Sequence, residues 1–247
     1  MKGLAPMSLV LLLSQAASAF QPDAPDGAGS GPMITNMTSD RPGVSVRRDD
    51  EPMIEGSGRI VRRARSVGAF NAIHVQAPAR VQVVVGEPPS IEIEADDNVI
   101  ELITTDTDGG ALQIGTAGSF QTRTAPVVRI RVAALDRVRS QGSGDVRISG
   151  LAGDRFELIG QGSGNFVVDG RASSSSAKLY GSGDADLARL QAADLDVAVY
   201  GSGHARVHAT GTLAAAVYGN GSITYSGRPT EISRSIHGMG RIGEVER

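Results

Sequence analysis

The sequence predicts an all-β fold, a right-handed parallel β-helix (β-solenoid) with coils of about 19–20 residues, preceded by a disordered linker. Three observations predict it. The first is a series of glycine motifs at a nearly fixed interval: Gly142-Ser143-Gly144, Gly162-Ser163-Gly164, Gly181-Ser182-Gly183, Gly201-Ser202-Gly203, Gly219-Asn220-Gly221 and Gly238-Met239-Gly240. The second is an apolar–polar alternation of period two between them, which gives a strand one buried and one wet face. The third is composition: 32 glycines, no Trp, and few aromatics suit short strands joined by tight turns.

Met1 to Ala19 reads as a secretory signal peptide. Lys2 supplies the positive start, Leu9-Val10-Leu11-Leu12-Leu13 the apolar centre, and Ala17-Ser18-Ala19 the cleavage site. The apolar run falls short of the roughly 20 residues that cross a bilayer, and no second run is long enough. The mature chain is therefore expected to have no transmembrane segment. Residues 20–55 read as a flexible linker. They hold Pro22, Pro25, Pro32, Pro42 and Pro52 and the charged run Arg47-Arg48-Asp49-Asp50-Glu51, without a sustained apolar period.

The folded domain is expected over 56–247. Up to about Leu135, Val81, Val83 and Val85, then Ile91 and Ile93, then Val128, Ile130 and Val132 alternate with polar residues. Asp97 to Thr104 is the one segment with a helical pattern, with Asp97 or Asn98 as its cap. The clear repeats run over 136–243. Aligned on their glycines, they predict inward columns Val146, Phe166, Ala185, Ala205, Ile223 and Ile148, Val168, Leu187, Val207, Tyr225. The second strands add Phe156 with Leu158, Leu195 with Val197, and Leu213 with Ala215. Closely stacked parallel strands repeating in one direction make a β-helix, and crossover chirality favours the right hand. Glu244 falls in the second apolar column, where its charge terminates the stack.

These residues resemble a known family. Gly56-Ser57-Gly58, Arg65-Ser66-Val67-Gly68-Ala69-Phe70-Asn71-Ala72-Ile73-His74-Val75, Val81-Gln82-Val83-Val84-Val85-Gly86, Ile91-Glu92-Ile93-Glu94-Ala95-Asp96-Asp97-Asn98 and the serial Gly-Ser-Gly-Asp units are similar to the head GIN domain of auto-transporter adhesins. The resemblance covers about Gly56 to Gly243. It implies a right-handed β-helix in a bacterial cell envelope, with no known reaction and no agreed catalytic residues. The chain leaves no room for a C-terminal membrane barrel, so a periplasmic or surface-associated protein of a Gram-negative-type bacterium is expected rather than a self-secreting adhesin.

Composition excludes several chemistries. The absence of cysteine removes disulfides, thiolate zinc, iron–sulfur clusters and cysteine nucleophiles. A net charge of −3 gives no bulk attraction to nucleic acid. The glycine motifs lead into strands and lack a following Lys-Ser or Lys-Thr, so they read as tight turns rather than phosphate cradles. The column Asp145, Asn165, Asp184, His204, Ser222, Arg241 is not acidic enough for repeated calcium sites, and its Asp and Asn side chains are expected to bond backbone N–H groups. His74, His204, His208 and His237 lack helical metal-ligand spacing. No metal and no cofactor is expected.

Two surface clusters remain. Asp184, Asp186, His204 and Arg206 point outward from adjacent coils. They could perform acid–base chemistry on a polysaccharide, or form cross-strand charge pairs on a solvated face, Asp186 over Arg206. The residues before the motifs form the column Gln141, Gln161, Tyr180, Tyr200, Tyr218, His237. It could be a flat binding platform for sugar rings or a protein edge, or a ladder that holds coil on coil. Arginines at 59, 62, 63, 65, 129, 131, 137, 139 and 147 could meet acidic envelope polymers or be ordinary outer-face charges. The leading reading is a non-enzymatic, exported β-helix that binds an envelope polysaccharide or protein, adhesin-like and able to form homo-oligomers at its open ends. The alternative is a polysaccharide-active enzyme using Asp184, Asp186, His204 and Arg206.

Overall fold

The computed structural model describes residues 53–245. The signal peptide at 1–19 and most of the linker at 20–55 lie outside the described residues. Strand structure begins at Ile54, inside the segment expected to be linker.

The described residues are strands and turns. In order they are β1 (Ile54–Glu55), β2 (Ile60–Arg65), β3 (Ala72–Val75), β4 (Arg80–Val85), β5 (Ser90–Asp96), β6 (Ile103–Asp108), β7 (Ala111–Thr116), β8 (Phe120–Gln121), β9 (Val127–Val132) and β10 (Arg137–Gly142). Three long strands follow, β11 (Val146–Gly162), β12 (Phe166–Gly181) and β13 (Ala185–Gly201). The last are β14 (His204–Ala209), β15 (Thr212–Gly219), β16 (Ser222–Gly227), β17 (Glu231–Gly238) and β18 (Arg241–Glu244).

Parallel pairing stacks these strands into a solenoid with two faces. The first face runs β9, β4, the first half of β11, β12 and β13, then β14, β16 and β18. The second runs β7, β3, β10, the second half of β11, β12 and β13, then β15 and β17. The predicted columns are in register: Val146 pairs Phe166, Phe166 pairs Ala185, Ala185 pairs Ala205, and Ala205 pairs Ile223. These side chains are buried, as are Ile148, Val168, Leu187, Val207 and Tyr225. Each fully buried apolar side chain contributes about 1.5–3 kcal/mol, so the two columns are a main source of cohesion.

The glycine motifs are the corners. The Gly142 carbonyl accepts from Ser163 N and Gly164 N at 3.1 and 3.3 Å, and the Gly162 carbonyl accepts from Ser182 N and Gly183 N at 3.0 and 3.2 Å. Gly162 has φ +120°, and a Cβ there would sit 2.2 Å from the Gly142 oxygen. Backbone stacks on backbone, and no side chain fits between.

The N-terminal end departs from a plain solenoid. β2 pairs antiparallel with β5, β5 with β9, and β6 with β7, which closes this end with antiparallel strands. The helix expected over Asp97 to Thr104 is instead a tight turn. Ile100 N does bond the Asp96 carbonyl at 2.9 Å, but Ile103 already belongs to β6. The expected caps bond elsewhere: Asn98 Oδ1 accepts Ser57 N at 2.9 Å, and Asp97 Oδ2 accepts Arg59 Nε at 2.7 Å. Asp96 Oδ1 accepts Gly58 N at 2.6 Å. A Cβ on Gly56 would meet the Asp96 carboxyl at 2.8 Å. The Gly-Ser-Gly and Asp-Asp-Asn motifs are thus two halves of one latch.

Candidate functional site

The column Gln141, Gln161, Tyr180, Tyr200, Tyr218, His237 stands on the second face. Neighbours pair residue for residue across β10, β11, β12, β13, β15 and β17. Alternation turns Leu179, Val199 and Val217 into the core and the tyrosines outward. The rings stack face to face: Tyr180–Tyr200 at 4.6 Å and 5°, Tyr200–Tyr218 at 4.7 Å and 3°, Tyr218–His237 at 4.9 Å and 7°. Gln141 Nε2 donates to Gln161 Oε1 at 2.8 Å, and Gln76 Nε2 extends the amide row to Gln141 at 3.2 Å. This orientation changes what the column offers. Ring faces are taken by neighbouring rings, so no sugar ring can lie flat on Tyr200. Edges and hydroxyls face outward, and Tyr180 and Tyr218 are each 40% exposed.

Beside this ladder lies a feature that the sequence reading missed. A groove of about 690 Å³ crosses the second face along the stacking direction. One wall is the column Arg155, Ser174, Asp194, Thr212, Glu231, and the other includes Glu157, Ser176, Asp196, Ala214 and Ser233. Glu157 is held by Arg137 at 2.6 Å. Asp194 accepts the Thr212 hydroxyl at 2.6 Å. Alignment of the repeats on their glycine motifs already brings these residues into columns, and that was the available signal. The depth between the columns was not in it.

The four residues Asp184, Asp186, His204 and Arg206 come together on the first face around a depression of about 140 Å³. Asp184 Oδ1 accepts His204 N at 2.8 Å, continuing a ladder in which Asp145 caps Asn165 N at 3.0 Å and Asn165 caps Asp184 N at 3.2 Å. Asp186 accepts Ala188 N at 3.1 Å. His204 Nδ1 meets Ser222 Oγ at 2.7 Å. Asp186 and Arg206 are cross-strand neighbours, yet among the described residues they make no ion pair within 4.0 Å. One oxygen of each carboxylate thus accepts a backbone N–H, as in turn Asp and Asn residues.

Most of the dense arginines find partners. Arg62 pairs Glu94 at 2.7 Å, Arg63 pairs Glu101 at 3.0 Å, Arg129 pairs Glu94 at 2.9 Å and Arg131 pairs Glu87 at 3.2 Å. The hydrogen bond from Arg129, then that from Arg62, holds the Glu94 carboxyl below its ordinary value of 4.5 against the opposing effect of burial. The hydrogen bonds from Ser57 and then Arg59 lower that of Asp97. Among the described residues no group of three or more His, Asp or Glu is placed to hold a metal ion, and no helix is long and apolar enough to cross a membrane.

Comparison with known proteins places the fold. A solved structure from Bacteroides fragilis described as a "putative adhesin" aligns with TM-score 0.65 and 26% identity, covering 78% of this chain and 100% of that one. A second "putative adhesin", from Parabacteroides merdae, aligns with TM-score 0.50 and 20% identity, over 78% and 99% of the two chains, a likeness of fold. No curated protein matches the chain. Residues 69–229 match the family model "Putative auto-transporter adhesin, head GIN domain". The chain belongs to this head GIN domain family.

Proposed function

We propose that this protein is an exported, non-enzymatic β-helix that presents a binding surface in the bacterial cell envelope, in the manner of an adhesin. The observation that carries this reading is the family match over 69–229 together with the long, regular second face. The Bacteroides fragilis protein described as an adhesin supports it at 26% identity. The signal peptide at 1–19 directs export, and the segment between it and β1 spaces the domain from its point of attachment. The partner is an envelope polysaccharide or protein. The ladder Gln141, Gln161, Tyr180, Tyr200, Tyr218, His237 forms one rim of the binding face, offering hydroxyls and ring edges. A polysaccharide-active enzyme built on Asp184, Asp186, His204 and Arg206 has less support, because the depression they line is only about 140 Å³, small for a sugar ring beside the groove of the second face.

Beads coated with the purified protein test the reading against immobilised envelope polysaccharide and envelope protein fractions. Saturable retention on one fraction, absent for beads coated with an unrelated protein of similar charge, is the expected result. Equal retention of both bead types would remove the adhesin reading.

A further inference from the structure

We infer that the groove on the second face is a glycan site, and that its ligand is a neutral polysaccharide chain lying along the solenoid axis. This rests on the binding-surface reading and assigns it a place and a substrate class. The volume of about 690 Å³ falls in the range of small-molecule sites. Its walls are columns in register over five coils, from Arg155 to Glu231. At a strand spacing of about 4.8 Å the groove is about 19 Å long, room for a short oligosaccharide.

The lining chemistry selects the ligand. Ser174, Ser176 and Ser233 present hydroxyls, Asp196 and Glu231 present carboxylates, and Thr212 and Asp194 present a hydroxyl–carboxylate pair already joined by a hydrogen bond. Among the described residues none of these three carboxylates has a Lys, Arg or His within 4.0 Å. Carboxylates and hydroxyls repeating along a line match a polymer that carries hydroxyls along its length, since each can accept or exchange hydrogen bonds with it. With Arg137 paired to Glu157, the lining keeps these three carboxylates against the single cation Arg155, and this negative excess repels uronate, sulfate or phosphate groups on an acidic polymer. A protein partner fits less well. The outward side chains of the groove include no aromatic or large aliphatic anchor, the usual core of a protein interface. Most of the groove also lies over strands paired on both sides, and only its Glu231–Ser233 end reaches the free edge of β17, so strand addition would cover little of it.

Calorimetric titration of the full chain with gluco-, manno- and galacto-oligosaccharides, and with oligogalacturonate as the acidic counterpart, tests the inference. At least one neutral series binds, with affinity rising with length until the groove is filled, and oligogalacturonate does not. Ala214→Trp, an exposed position in the groove, abolishes that binding, while Thr224→Trp on the first face leaves it intact. Asp196→Asn, which keeps the size, weakens it roughly tenfold or more. Circular dichroism confirms that each variant is folded. Binding of no neutral series, equal binding of oligogalacturonate, or unchanged binding by folded Ala214→Trp would each overturn the inference. Retention of wild-type beads on envelope material alongside any of these results would leave the adhesin reading standing and remove only the groove.

Discussion

At the scale of the residue, glycines separate into those the stack requires and those it tolerates. Gly162 combines a positive φ with an approach of 2.2 Å to the Gly142 oxygen. Gly162→Ala is expected to cost about 3 kcal/mol, from strain and overpacking together. Gly153 has open space around its Cβ position and no positive φ, so Gly153→Ala should be neutral or stabilise by about 0.5 kcal/mol. Urea denaturation of the two variants measures the contrast, and equal effects would contradict it. Gly160 differs again: a Cβ there would sit 2.5 Å from the Phe166 ring, so the missing side chain is the space that the ring fills. Ser175 is buried in the column between Phe156 and Leu195, with no partner for its hydroxyl. Ser175→Ala should therefore stabilise the fold by about 1 kcal/mol, read as a higher urea midpoint.

At the scale of the element, stacking and edge chemistry govern. Tyr200 stacks on two tyrosines and Tyr180 on one, with each stacked pair contributing about 0.5–1.5 kcal/mol beyond burial. Tyr200→Ala should destabilise about twice as much as Tyr180→Ala through lost stacking, and equal losses would show that the rings are not coupled. The last strand of the second face, β17, has no partner on its outer side among the described residues. Ile232 and Ile236 are 37% and 47% exposed there. Between them Arg234 occupies an inward position, in register with Ala215, with its guanidinium 5.0 Å from the Tyr225 ring centre and donating to the Tyr225 hydroxyl. Glu244 stacks directly on Tyr225. Two inward charges at an open edge discourage another strand from adding. Arg234→Ile with Glu244→Val should move the protein to larger species in light scattering, whereas an unchanged profile would contradict this role. On β5, the depressed pKa of Glu94 means that its pairing with Arg129 and Arg62 stabilises the fold above the ordinary glutamate range and is lost as pH falls through the lowered value. Glu94→Gln should flatten the acid side of a melting-temperature profile below about pH 4.5.

At the scale of the whole molecule, the sequence carried the solenoid and the columns because both follow from two periods, the glycine step and the strand alternation. Register from Val146 to Ile223 could be read off directly. The antiparallel closure by β2, β5 and β6 could not, because alternation marks a strand without naming its neighbour or direction. The single helical hydrogen bond at Ile100 explains why Asp97 to Thr104 resembled a helix. Its would-be caps, Asp97 and Asn98, are taken by Ser57 and Arg59, some forty residues earlier in the chain. The tyrosine column was legible as a column, but the ring orientation that denies it a flat platform is a property of three dimensions. So is the groove, whose residues are unremarkable polar side chains until the coils bring them level. The account stands or falls on the second face as the binding face. The most direct measurement is retention of protein-coated beads on envelope material with a tryptophan placed on either face. Ala214→Trp is expected to abolish retention and Thr224→Trp to preserve it. Retention that survives Ala214→Trp and is lost in a folded Thr224→Trp would contradict the account.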